Sequence, residues 1–199
     1  MKLMLADYGV GNLHSIRKAL ELAGAEVEVV SDMSRLLGAK GMVFPGVGAF
    51  DATMERLLPV REQVRARLAA GVPALGICIG EQIMFEGSTE GKDPGLGVFP
   101  GRVERLPAEM LPHMGWNTVE TVDPLFDGLE DHHFYFAHSY YGHPSDDSIV
   151  RGTTEYEGRR FPTVFRRYAT YGFQFHPEKS GDEGLDLLKH FVAFAEGQQ

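Results

Sequence analysis

The only cysteine of the chain, Cys78, follows an apolar segment and is flanked by two glycines, in the sequence Gly76-Ile77-Cys78-Ile79-Gly80. This spacing is typical of a nucleophile elbow, in which a strand turns sharply into a helix and presents a reactive side chain. The N-terminus of the helix would favour the thiolate, and the Ile79 N–H would be available to an oxyanion. The alternative is that Cys78 is inert, because free cysteine packs as a small apolar residue.

A nucleophilic thiol needs a base, and His176 in the segment His176-Pro177-Glu178 is the candidate among eight histidines. A residue before proline is held in an extended conformation, in which residues two apart face the same side. Glu178 would then hold the imidazole in one tautomer and complete a Cys-His-Glu triad. The alternative is a surface His-Pro turn with a solvated glutamate.

The elements that would position these residues alternate along the first half of the chain. We predict strands over 2–6, 26–30, 41–44 and 73–77, and helices over 13–23 and about 53–68. Asn12 would cap the first of these helices, Gly24 would end it, and Pro59 would kink or split the second. This alternation predicts a parallel sheet with helices on both faces, and it places Cys78 at the carboxyl end of a central strand.

The pattern changes beyond about residue 95, where short strands follow one another. They predict an antiparallel extension of the same sheet, and an amphipathic helix over 184–196 closes the chain. The predicted strands are Arg102–Leu106, Asn117–Thr121, His133–Tyr141, Arg160–Arg166 and Thr170–Phe175.

Composition limits the class of protein. A length of 199 residues with 43% hydrophobic residues and no linker predicts one domain over 1–199. The net charge of −9 argues against a nucleic-acid partner. One cysteine excludes an internal disulfide, and the apolar run at 1–6 is too short for a signal peptide or membrane span, so we expect a cytoplasmic protein. The histidines show no metal-binding motif, and we expect no metal and no cofactor.

Together, the elbow, the following Gln82 and the His-Pro-Glu segment resemble the class I (triad) glutamine amidotransferases. Five segments in the right order, one of which includes the His-Pro-Glu segment, together resemble the glutaminase subunits of imidazole glycerol phosphate synthases, which act in histidine biosynthesis. The resemblance covers the whole chain and implies a three-layer, flavodoxin-like α/β fold. One residue departs from the commoner pattern, since Glu81 stands where methionine is expected. The five segments are Asp7–Leu13, Pro45–Phe50, Pro112–Asn117, Tyr135–Tyr140 and His176–Ser180.

The resemblance implies that Cys78 attacks the side-chain amide of glutamine to give a glutamyl thioester and ammonia. His176 would transfer protons and Glu178 would orient it. The oxyanion hole would combine Ile79 with the loop that carries Val47 and Gly48. The hole could be completed by rotation of the Gly46–Val47 peptide, since glycine tolerates both signs of φ, or the loop could be a rigid glycine turn.

By the same resemblance, Gln82 and the edge of the segment His138-Ser139-Tyr140 would bind the amino-acid end of glutamine. A triad glutaminase domain fills the chain, so the ammonia would pass to a partner, a (β/α)₈-barrel cyclase in a heterodimer. Trp116 could instead be a core residue, and Lys179 an ordinary solvated lysine. The candidate interface residues are Met114, Trp116, Asn117 and Lys179.

Three other functions compete with this interpretation. Another class I glutaminase would share the triad but not the segments Pro112–Asn117 and Tyr135–Tyr140. A cysteine hydrolase or DJ-1-like protein would use an elbow cysteine without needing the His-Pro-Glu segment. A catalytically inactive binding module would not need intact Cys78, His176 and Glu178.

Overall fold

The computed structural model describes residues 1–11 and 13–198, so Asn12, the predicted helix cap, lies outside the described residues. The described part contains five α-helices: α1 (His14–Leu22), α2 (Phe50–Leu57), α3 (Arg61–Ala69), α4 (Ile79–Gln82) and α5 (Gly181–Glu196). Its strands are β1 (Lys2–Ala6), β2 (Glu26–Val30), β3 (Met42–Phe44), β4 (Ala74–Ile77), β5 (Gly101–Arg105), β6 (His113–Thr118), β7 (Glu120–Thr121), β8 (His133–His138), β9 (Tyr140–Pro144), β10 (Val150–Tyr156), β11 (Arg159–Arg167) and β12 (Thr170–Phe173).

Eight strands form the central sheet, in the order β2-β1-β3-β4-β12-β11-β10-β7. The first five strands in that order are parallel to one another, and β11, β10 and β7 continue the sheet in antiparallel fashion. The predicted class, a mostly parallel α/β sheet with an antiparallel extension, is therefore confirmed.

Three details of the sequence prediction are wrong. Strand β12, within the predicted antiparallel segment Thr170–Phe175, pairs in parallel with β4. Strands β5 and β9 form a separate two-stranded sheet, and so do β6 and β8, so these strands do not extend the central sheet. Strand β10 was not predicted because its sequence, VRGTTEY, is mostly polar.

The core is divided between the two faces of the central sheet. Helices α2 and α3 pack on one face, and α1 and α5 pack on the other. Strand β4 contributes to both layers, since Ala74 packs with the first and Leu75 and Ile77 with the second, as expected for alternating side chains. Pro59 separates α2 from α3 within a single 3₁₀ turn, because proline lacks an N–H to donate. The described residues include no helix long and apolar enough to span a membrane.

Candidate active site

Cys78 occupies the predicted elbow between β4 and α4, with φ +51° and ψ −112°. The two glycines of the motif are required because the neighbouring backbone leaves no space for a side chain at either position. A methyl group on Gly76 would lie 2.4 Å from the Gly80 carbonyl oxygen, and one on Gly80 would lie 1.9 Å from the carbonyl oxygen of Phe44. A left-handed conformation at a non-glycine residue is uncommon and is often found at functional sites.

The ends of three neighbouring parallel strands meet at Cys78. The Cys78 N–H donates to the carbonyl of Phe173 at 2.7 Å, and the chain beyond β12 continues from there to His176. Gly46, just after β3, lies between the two side chains. A methyl group on Gly46 would be 2.7 Å from His176 Cε1 and 3.0 Å from Cys78 Cβ. The parallel pairing of β12 with β4 therefore brings the imidazole to the thiol.

The imidazole of His176 is buried and tightly held. Its Nδ1 lies 2.8 Å from Glu178 Oε1, and its backbone N–H donates to the Tyr135 carbonyl at 2.8 Å. Burial disfavours the imidazolium, but the charge of Cys78, a hydrogen bond to it and the Glu178 carboxylate outweigh burial and raise the pKa of His176 to about 10. The arrangement places an imidazole that favours its charged form next to the Cys78 sulfur and an orienting carboxylate, which is suited to nucleophilic catalysis.

A cavity of about 250 Å³ opens in front of Cys78. The walls combine polar side chains with main chain, as expected of a small-molecule site. All four predicted glutamine-binding residues line it, together with two of the three predicted oxyanion-hole residues. The lining is Gly48, Cys78, Ile79, Gln82, Glu90, Pro112, Ala137, His138, Ser139 and Tyr140.

The model of the family "Glutamine amidotransferase class-I" matches residues 4–194. The chain belongs to the class-I glutamine amidotransferases. The resemblance stated from the sequence is therefore confirmed at the level of the family.

The sequence similarity between this amidotransferase and its relatives extends over nearly the whole chain. The imidazole glycerol phosphate synthase subunit HisH of Corynebacterium glutamicum is 47% identical over 204 residues, which is 96% of this chain and 97% of the relative. The subunit of the same name from Methanocaldococcus jannaschii is 45% identical over 193 residues, covering 94% of this chain and 97% of the relative.

Solved structures share the fold at lower sequence identity. A crystal structure of a glutamine amidotransferase has a TM-score of 0.77 at 21% identity and covers 97% of this chain and 98% of its own. A chain in the structure of PurLQS from Thermotoga maritima has a TM-score of 0.70 at 17% identity, covering 97% of this chain and 98% of its own.

Two of the three predicted oxyanion-hole residues of the amidotransferase line the cavity, and the third does not. Gly48, with φ +95°, and Ile79 line the cavity. Val47 is half-buried and is not among the described residues that line it. The Val47 side chain packs against the loop between β1 and α1. A methyl group on Gly11, in that loop, would lie 2.6 Å from Val47 Cβ.

The side chains of Gln82 and His138 are engaged inside the amidotransferase. Gln82 Nε2 donates to the Tyr140 carbonyl at 2.8 Å and to Gln174 Oε1 at 3.1 Å. His138 Nδ1 lies 2.8 Å from the same carbonyl, and its Nε2 lies 3.0 Å from His113 Nδ1. These residues therefore shape the wall of the cavity.

Sequence reasoning missed three residues at the site. Gln174 is buried and its Nε2 lies 3.8 Å from Cys78 Sγ. Ser180 donates to the His176 carbonyl at 2.6 Å and accepts from the Tyr135 N–H at 3.0 Å. Glu90 brings a carboxylate to the cavity. Gln174 and Ser180 are close to His176 in sequence, which was an available signal, whereas no local pattern marks Glu90.

The predicted interface residues lie in three positions. Met114 and Trp116 alternate along β6 and are 62% and 54% exposed, so the alternative of a buried tryptophan is wrong. Lys179 is exposed directly after Glu178. Asn117 points to the other face of β6, where its Nδ2 lies 2.9 Å from the Glu155 carbonyl oxygen and 3.2 Å from His113 Nε2.

Glu81, where methionine was expected, is completely buried behind the elbow. Neither carboxyl oxygen has a hydrogen-bond partner among the described residues. Burial, followed by the nearby charge of Cys78, raises the pKa of Glu81 well above its ordinary value. The site therefore favours the protonated, neutral form of this side chain.

Proposed function

We propose that this amidotransferase is the glutaminase subunit of an imidazole glycerol phosphate synthase, which hydrolyses glutamine and passes the ammonia to a cyclase. The single observation that carries the chemistry is the assembly of half-buried Cys78 with the buried side chains of His176 and Glu178 at the carboxyl ends of neighbouring strands. The assignment to this synthase rests on relatives of that name at 42–47% identity over nearly the full chain. We further propose one domain over 1–199 that acts in the cytoplasm.

The reaction would proceed through two acyl transfers. The Cys78 thiolate attacks the side-chain amide carbon of glutamine to give a tetrahedral oxyanion. His176 gives its proton to the leaving nitrogen, and the C–N bond breaks to release ammonia and leave a glutamyl thioester. His176 then takes a proton from water, which attacks the thioester, and glutamate leaves as the thiolate re-forms. Glu178 keeps Nδ1 of the imidazole protonated throughout.

The oxyanion would be stabilised by backbone N–H groups on two loops. Ile79 is the first residue of α4, where N–H groups have no partner within the helix. The second donor would come from Val47 or Gly48. Val47 packs against the loop between β1 and α1 instead of lining the cavity. We therefore propose that rotation of the Gly46–Val47 peptide completes the oxyanion hole.

Glutamine would bind along the edge of the segment His138-Ser139-Tyr140, chiefly through main-chain groups, because the His138 ring nitrogens both have internal partners. Gln82 would hold this edge in place. Glu90, across the cavity, offers a carboxylate to the substrate ammonium group.

The partner would be a (β/α)₈-barrel cyclase that docks on exposed Met114, Trp116 and Lys179. Large exposed apolar side chains are typical anchors of an interface. Direct transfer suits the chemistry, because ammonia released to neutral water becomes protonated and loses its nucleophilicity.

Glutamine hydrolysis by the purified chain, with and without the barrel cyclase and its nucleotide ligand, tests the proposal. We expect strong stimulation by the liganded partner and no activity for Cys78→Ala. Hydrolysis of peptides or glyoxals in place of glutamine would assign the chain to another class of cysteine enzyme. Equal activity of Cys78→Ala would exclude the triad.

A further inference from the structure

A chain of hydrogen bonds runs from β6 to the nucleophile. Asn117 Nδ2 lies 3.2 Å from His113 Nε2, and His113 Nδ1 lies 3.0 Å from His138 Nε2. His138 Nδ1 lies 2.8 Å from the Tyr140 carbonyl oxygen. Gln82 donates to the same oxygen and to Gln174, whose amide nitrogen lies 3.8 Å from Cys78 Sγ.

Both ends fix the direction of these hydrogen bonds. The Asn117 Oδ1 accepts from the Thr118 N–H at 2.8 Å and its Nδ2 donates to the Glu155 carbonyl, so the amide presents a donor to His113. At the other end, the Tyr140 carbonyl can only accept. Each ring must therefore carry its proton on Nδ1 and accept at Nε2.

Both rings are also neutral at pH 7. Burial lowers the pKa of His113 to about 4 and, as the largest of several effects, lowers that of His138 to about 3. An imidazolium donates at both nitrogens and would leave two donors facing each other at one of these contacts. The neutral Nδ1–H form is the one that satisfies every contact.

We propose that His113 is a positioning residue for glutamine binding, which donates to His138 Nε2, holds the His138 ring against the Tyr140 carbonyl and so holds the Tyr140–Gln82 wall of the cavity. This inference rests on the proposed function for its kinetic consequence. His113 does not itself line the cavity and contacts a lining residue, His138, so its effect passes through His138. Without the His113 donor, His138 Nε2 loses this hydrogen bond, and the ring is held only through Nδ1 at the Tyr140 carbonyl.

A purely structural role makes a different prediction. The His113 ring stacks between Phe136 and Tyr156, with ring centroids 4.7 Å and 4.1 Å away. His113→Phe keeps this stacked ring and removes the donor. His113→Asn removes the ring, but its amide nitrogen can take the place of Nδ1 and donate to His138. The two variants therefore separate filling of space from hydrogen bonding.

The first measurement is ¹⁵N NMR of the histidine rings in the full-length wild type and in His113→Phe. We expect protonated Nδ1 on both His113 and His138 in the wild type, and in the variant a downfield shift of the unprotonated Nε2 resonance of His138, which has lost its donor. An unchanged His138 Nε2 resonance in His113→Phe would contradict the inference, whether or not the chain is a glutaminase.

The second measurement is glutamine hydrolysis by the same variants in complex with the barrel cyclase. We expect His113→Phe to raise KM for glutamine about fivefold, the effect of one ordinary hydrogen bond, with a smaller change in kcat. His113→Asn should stay close to the wild-type KM despite lower thermal stability. The opposite order, with Phe active and Asn impaired, would show that His113 only fills space. A wild type without glutaminase activity would overturn the proposed function, and the NMR measurement would still decide the inference.

Discussion

His176 Nδ1 lies 2.8 Å from Glu178 Oε1, and the two side chains are 3% and 7% exposed. The second carboxyl oxygen of Glu178 has no hydrogen-bond partner among the described residues. Within that part of the chain, the imidazole is therefore the hydrogen-bond partner on which this buried carboxylate depends, and the carboxylate is one of the groups that raise the pKa of His176. Removing one partner of such a buried pair lowers the free energy of unfolding by more than the intact pair contributes to it, because the other group is left buried without a partner.

Glu178→Gln keeps the shape of this contact and removes the negative charge. We expect kcat for glutamine hydrolysis to fall about a hundredfold or more, because the amide can no longer select the productive tautomer. The pKa of His176 should also fall, since Glu178 is one of the groups that raise it. Kinetics and NMR titration of the imidazole test both effects. Glu55→Gln, an exposed change on α2, is the control, and equal kinetics of the two variants would contradict the role of Glu178.

Gly46→Ala tests how closely the three strand ends approach one another. The new methyl group would meet His176 Cε1 at 2.7 Å, Cys78 Cβ at 3.0 Å and the Ile77 carbonyl at 3.1 Å, so the imidazole or the thiol must shift. Misplacement by a few tenths of an ångström up to about 1 Å is expected to lower kcat about tenfold to a hundredfold. Gly38→Ala, at an exposed position with open space and no positive φ, is the control for general effects of replacing glycine. Unchanged kcat in Gly46→Ala would show that the loop moves instead.

The triad could be predicted from the sequence because its signals are local. The glycines around Cys78 are demanded by contacts within a few residues and with β3, and Pro177 fixes the backbone of His176 directly. These local constraints produce a spacing of glycine, cysteine, histidine and proline that can be recognised in the sequence alone. Helices α1 and α5 were predictable for the same reason, through the periodicity of their apolar residues.

The parallel pairing of β12 could not be predicted. Strand β12 is reached only after β5 to β11, and the direction in which such a strand returns to β4 is set by the whole intervening chain. The roles of Glu90 and His113 were hidden for a related reason. Their partners, Phe50 for the first and His138 for the second, are 40 and 25 residues away and become neighbours only in the folded protein.

Acid should destabilise the folded chain through two of its buried histidines, His113 and His138. The pKa of His113 is lowered to about 4 and that of His138 to about 3. Below about pH 6.5, the unfolded chain therefore binds protons at these two residues that the folded chain does not bind. Their contribution is therefore present above pH 6.5 and is lost as the pH falls. In the limit, each group changes the free energy of unfolding by about 1.4 kcal/mol per pH unit.

Denaturant unfolding of wild type and His113→Phe between pH 7 and pH 5 tests this expectation. The variant lacks one of the two groups and should lose less stability over that range. Identical pH slopes would mean that His113 is protonated in the folded protein, and the hydrogen-bond direction assigned to it would be wrong.

Glu81→Met should stabilise the fold. The change removes two buried oxygens without partners among the described residues and keeps an unbranched side chain, and we expect a gain of about 1–3 kcal/mol in the free energy of unfolding. Because burial raises the pKa of Glu81, the folded chain retains a proton that the unfolded chain releases above about pH 4.5. The wild type therefore loses stability as the pH rises past that value, and the advantage of the variant should be larger at pH 7 than at pH 4. An advantage independent of pH would mean that shape, not ionisation, is responsible.

Trp116→Ala tests the docking surface separately from the chemistry. The Trp116 side chain is 54% exposed and meets the Tyr135 ring edge-on, with centroids 6.3 Å apart, and the Tyr135 carbonyl in turn accepts from the His176 N–H. Removing an exposed anchor should leave the fold intact and weaken binding of the barrel cyclase by about 2 kcal/mol or more, which is about thirtyfold. Titration calorimetry measures this loss, and circular dichroism checks the fold. Val122→Ala, at a residue 98% exposed after β7, is the matched control. If both variants bind the cyclase with wild-type affinity, the partner docks elsewhere and the route for ammonia must leave the cavity by another side.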